Sequence, residues 1–134
     1  MEIKDKILKG LQDNNVRFIN FQFSDIFGHV KSTTKPAQEL EESLERGIWF
    51  DGSSIEGFAR IQESDSLLKP DLDTFAVIPW SPENSKEARF ICDVYVPAAK
   101  GWIKPFEGDP RYILKKQCEK ANEMGFSVFN VGPE

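Results

Sequence analysis

The chain has 134 residues, 40% of them hydrophobic and 11 of them Phe, enough apolar mass for one packed core and the start of a second domain at most. Its formal net charge is −5, and the densest basic cluster is only Lys115-Lys116. That excludes a basic nucleic-acid-binding face, and no apolar run has the length of a membrane-spanning helix.

Ile3, Ile7, Leu8 and Leu11 recur at helical spacing, which predicts an amphipathic helix ending near Asp13-Asn14-Asn15. In VRFINFQF, Ile19, Phe21 and Phe23 alternate onto one face of a strand. The turn SDIFGH leads into VKSTTKP, a polar strand that pairs with the first as a hairpin. Pro36 opens a helix whose Leu40 and Leu44 share a face, and Gly47 suits its C-terminal stop. Ile48, Trp49 and Phe50 make a short apolar strand.

Further on, LKPDLDTFAVIPW predicts a strand around Phe75 to Ile78, bracketed by prolines. EARFICDVYVP alternates cleanly, with Phe90, Cys92, Val94 and Val96 on the buried side. The expected class is α+β: a mixed sheet with one packed helix, similar to a β-grasp. A boundary falls in the Gly- and Pro-rich stretch from Pro97 to Pro110, dividing residues 1–100 from 101–134. Asp109 then caps a helix with Pro110 at its first position, and FSVFNV follows as a strand. These last two elements read as the first helix and strand of an incomplete α/β domain, the front end of a longer protein; the alternative is that the pair docks back on the first sheet.

The two cysteines, Cys92 and Cys118, lack metal-ligand spacing and read as buried free thiols. With no apolar leader segment in the first 15 residues, a cytoplasmic protein is expected. The single histidine, His29, does not build a multi-histidine zinc site, and no glycine-rich phosphate loop occurs in the chain.

The polar stretch WFDGSSIEGFARIQESD is the chemical candidate. Asp51 ends the Ile48–Phe50 strand and enters a Gly-Ser-Ser turn. An ionised carboxylate there either stabilises the turn or holds a cation and takes its proton. Ser53 and Ser54 either cap that turn or orient the acid. Glu63 and Asp65 flank Ser64, with Arg60 nearby in sequence as an ion-pair partner.

The run FDGSSIEGFARIQESDSLL resembles the N-terminal signature of glutamine synthetase. An aromatic residue precedes Asp51-Gly52-Ser53-Ser54, and an eight-residue spacer leads to Glu63, Ser64, Asp65 and Leu68. KPDLDTFAVIPW, RFICDVY, PFEGDPRYILK and the closing VGPE resemble the same family in the same order, closest to the bacterial and archaeal type I enzymes. The resemblance implies a nitrogen-metabolism ligase that makes glutamine from glutamate, ammonium and ATP through a γ-glutamyl phosphate, with Mg2+ or Mn2+. It implies that Asp51 is the ammonium-site carboxylate and that Ser54 and Asp65 line that site. Glu134 would be a metal ligand, and the nucleotide-binding residues are unknown. Arg60 would carry a regulatory role in glutamine feedback.

It implies, further, a homo-dodecamer in which this small domain of one subunit walls the active site of the next. The 134-residue chain alone is then expected to be inactive. The competing reading is a stand-alone β-grasp interaction or regulatory module, to which Asp51 is dispensable. A third is a truncated decoy that co-assembles with the full-length enzyme.

Overall fold

The computed structural model describes residues 3–55 and 65–132. Helix α1 spans Ile3–Asp13 and turns Ile7 and Leu11 inward. Strands β1 (Val16–Ser24) and β2 (Val30–Pro36) form the expected antiparallel hairpin, from Ser24 opposite Val30 to Phe18 opposite Pro36. A 3-10 turn leads into α2 (Leu40–Arg46), which buries Leu40. Gly47 ends it at φ 71°, a backbone conformation that favours glycine, and a Cβ there would stand 3.0 Å from the Leu68 carbonyl oxygen. Strands β3 (Ile48–Asp51), β4 (Asp65–Val77), β5 (Lys86–Pro97) and β6 (Ile103–Pro105) follow, and α3 (Pro110–Glu123) comes last.

The sheet runs β2-β1-β5-β4-β3, with β6 added beside β5. Its centre is mixed: β1 lies parallel to β5, whereas the other pairs are antiparallel. Alternation assigns the faces. Ile19, Phe21, Phe23, Ala88, Phe90, Cys92 and Val94 point into one core, under Ile7 and Leu11 of α1 and Leu40 of α2. Phe90 stacks on Phe21 at 5.8 Å between ring centroids and tilts against Phe75 at 5.4 Å. The expected mixed sheet with a helix across it is present, and α1 joins α2 in covering the same face.

Three local readings differ. Strand β4 begins ten residues before Phe75, at Asp65, and runs through Pro70. The proline is tolerated because it lies beyond Leu68, the last residue paired with β3, and just before a register shift between Asp71 and Ala76. Residues 126–131 carry no strand. A strand needs a ladder partner, and Phe126, Val128, Phe129 and Val131 all lie exposed. Cys92 is buried as expected, but Cys118 is exposed on α3. Among the described residues, no helix is long and apolar enough to cross a membrane.

Candidate functional site

Strand β3 pairs with the first residues of β4, in the register Ile48–Leu68, Trp49–Leu67, Phe50–Ser66 and Asp51–Asp65. Directly opposed residues share a face. Ile48 and Leu68 turn into the core, and Phe50 follows them to meet the Phe23 ring at 4.8 Å. Asp51 and Asp65 therefore share the other face, with Trp49, at the open end of the edge strand. Both acids are exposed. Trp49, Phe50 and Asp65 line an open depression of about 320 Å³ beside them.

Asp51 is fixed where the strand turns into the 3-10 turn Gly52–Ser54. The Ser53 hydroxyl donates to Asp51 Oδ1 at 2.6 Å, and the Ser53 backbone N–H donates to the same oxygen at 2.9 Å. These hydrogen bonds, the hydroxyl first, hold the Asp51 carboxyl below its ordinary value of 3.8. At neutral pH the group is an oriented, ionised carboxylate. The two sequence readings of Asp51 are thus compatible: it caps the turn with one oxygen and faces solvent at the strand end.

Of the residues expected to form the site, the structure brings Asp51 and Asp65 together and puts Ser54 at the end of the adjoining turn. Arg60, Glu63 and Glu134 lie outside the described residues. Sequence reasoning missed Trp49 as a wall of the depression and did not pair Asp51 with Asp65; the alternation of Ile48 and Phe50 against Trp49 and Asp51 was the available signal. Among the described residues, no group of three or more His, Cys, Asp or Glu side chains is arranged to hold a metal ion.

The family model for the glutamine synthetase β-grasp domain matches residues 15–97, which include both strands of this site. The chain belongs to the glutamine synthetase family. It is 52% identical to the glutamine synthetase of Thermotoga maritima over 130 residues, 97% of this chain and 28% of the relative. Against the Thermus thermophilus glutamine synthetase it is 48% identical over 134 residues, covering 98% of this chain and 29% of the relative. It thus spans little more than a quarter of the curated glutamine synthetases it matches. Among solved structures, the cryoEM Plasmodium falciparum glutamine synthetase superposes with a TM-score of 0.74 at 23% identity, over 93% of this chain and 23% of that one. A GmaS/ADP complex gives the same TM-score at 22% identity, over 88% and 26%. At those identities the likeness is one of fold.

Proposed function

We propose that this chain supplies the ammonium-side wall of a glutamine synthetase active site, completed by the catalytic portion of a neighbouring subunit. The observation that carries the reading is the Asp51 carboxylate, oriented by Ser53 and set opposite Asp65 at an open strand end. Two carboxylates on one face attract a small cation, and ammonium offers N–H donors to both. The ionised carboxylate of Asp51 both holds the cation and accepts one proton from it. The neutral ammonia then attacks the γ-glutamyl phosphate with its lone pair, forming the carbon–nitrogen bond as phosphate departs with the remaining proton. Asp65 and Ser54 complete the polar lining.

The donor set of the described residues does not build a metal site by itself. Phosphoryl transfer from ATP, glutamate binding and most of the Mg2+ or Mn2+ ligands are therefore assigned to the part of the relatives' length that this chain does not span. Glu134 is proposed as one metal ligand and Arg60 as a feedback residue. The proposed division is a β-grasp domain over residues 1–100 and the start of a catalytic domain over 101–134. The full assembly is proposed to be a cytoplasmic homo-dodecamer, and the 134-residue chain alone to be inactive.

The test is a full-length glutamine synthetase carrying this segment with Asp51→Ala. Loss of glutamine synthesis with ATP binding kept is the expected result. Undiminished turnover would remove Asp51 from the reaction and favour a docking module.

A further inference from the structure

The β-grasp sheet and α3 are held by different forces. The sheet rests on a buried apolar core. Every residue of α3, by contrast, is exposed or half-buried, and its apolar Ile113 and Leu114 lie outward. Asp109, fully buried, anchors the first turn: its Oδ1 accepts from the Arg111 N–H and its Oδ2 from the Val94 N–H. Arg111, in that turn, and Lys115, one turn further on, add ionic contacts to the sheet.

The register explains why cations are wanted there. Asp71 of β4 stands opposite Ile91 of β5, and Asp93 of β5 stands opposite Lys69 of β4. The two acids are thus diagonal neighbours on the face turned away from the core. Like charges so placed repel. Lys69 is engaged elsewhere, its ammonium 4.6 Å from the centre of the Tyr95 ring. The compensating charge comes from α3. Arg111 forks across the two strands, donating from Nε to Asp93 Oδ1 at 2.9 Å and from Nη2 to Asp71 Oδ2. One turn on, Lys115 donates to both oxygens of Asp93, at 2.8 and 2.6 Å. Arg111 and Lys115 are four residues apart and so occupy one helix face.

We propose that Arg111 and Lys115, bridging to Asp71 and Asp93, form a charge clasp that holds α3 against the sheet, and that breaking the clasp releases α3 while the sheet stays folded. A free helix of this length is marginal in water, so α3 loses its hydrogen-bonded turns once the clasp opens. Salt is the natural key. The screening length falls from about 10 Å at 0.1 M to about 3 Å at 1 M, whereas screening leaves apolar burial untouched. Arg111, Asp71 and Asp93 are each 25% exposed and Lys115 is 44% exposed, so salt reaches the cluster. The inference is independent of the ligase reading.

The experiment is native-state amide hydrogen exchange on the 134-residue chain, in low salt and in sodium chloride at about 1 M. Amides of residues 114–123 should exchange on the order of tenfold faster in high salt, with β1 and β5 unchanged. Arg111→Met should produce the same loss in low salt and remove most of the salt dependence. That variant leaves Asp71 and Asp93 facing each other, so the double variant Asp71→Asn, Asp93→Asn tests release without the added repulsion. If Arg111→Met fails to fold, the salt series on the parent and the double variant decide the matter. Helix protection indifferent to salt would overturn the clasp, as would helix and sheet losing protection together.

Discussion

Asp51 and Asp65 are cross-strand partners, the pair that ends the register of β3 against β4 and sets two carboxylates opposite one another on the outward face. Directly opposed side chains in an antiparallel pair stand with their Cβ atoms about 5 Å apart. Two negative charges at that spacing oppose each other unless a cation or a hydrogen-bond donor relieves them. Asp51 accepts from both the hydroxyl and the backbone N–H of Ser53, the hydroxyl contributing the larger part of its lowered pKa.

Replacing that hydroxyl, in Ser53→Ala, leaves the backbone N–H as donor and removes the larger cause of the lowered Asp51 pKa. The Asp51 carboxyl should titrate closer to its ordinary value of 3.8, read by NMR of the side-chain carboxyl carbon. The sign for stability follows. A depressed native pKa adds stability above the unfolded value and loses it as pH falls through the native one, so the parent should lose more on acidification than Ser53→Ala. An unchanged titration would separate Ser53 from the charge on Asp51.

Asp109 carries the opposite sign. Burial pushes its carboxyl above 3.8 despite the hydrogen bonds from Val94 and Arg111. A raised native pKa means that the folded chain holds the proton more tightly than the unfolded one. Stability from this group is therefore full below the unfolded value and falls as pH rises through the native value. Asp109→Asn does not titrate, and should gain on the parent from acid to neutral pH in urea unfolding. Asp109→Ala removes the helix cap and leaves the Val94 N–H without its acceptor, a loss of about 2 kcal/mol.

The two thiols should part company in reactivity. Burial, with Asp93 adding to it, pushes the Cys92 thiol up to about 12, whereas Cys118 is exposed on α3. A chromogenic disulfide reagent at neutral pH should modify Cys118 in the folded chain, and Cys92 only after denaturation. Rapid labelling of both cysteines without denaturant would contradict the burial of β5.

Phe90 is the core's central ring, fully buried and in contact with both Phe21 and Phe75. Phe90→Ala should cost about 3–5 kcal/mol, a large part of what holds a small domain folded. Urea unfolding should show the midpoint falling steeply or no native baseline at all. A small change would mean that the neighbouring rings collapse into the gap.

Much of this architecture was legible because it is written in local periodicity. The alternation Ile19, Phe21, Phe23 and again Phe90, Cys92, Val94 assigned the core face of β1 and β5 without reference to their partners. Asp109-Pro110 announced the start of α3 through capping chemistry alone. What escaped depends on pairing at a distance. Pro70 argued against a strand, yet β4 passes through it because the residue lies beyond the reach of β3. FSVFNV has strand composition, but a strand exists only against another. The bond from Arg111 to Asp71 crosses forty residues, and no spacing rule marks it. At the site itself, Asp51 was visible from its turn, and its pairing with Asp65 emerged only from register.

The parallel union of β1 with β5 has a consequence for how the chain is made. Its first hairpin is complete in sequence by Pro36, but the strand that shields the other edge of β1 begins only at Lys86. At about 5–20 residues per second, a ribosome leaves that edge open for seconds, with Ile19, Phe21 and Phe23 awaiting most of their cover. During synthesis, then, the hazard lies at the chain's beginning: a neighbouring nascent hairpin can take the place reserved for β5.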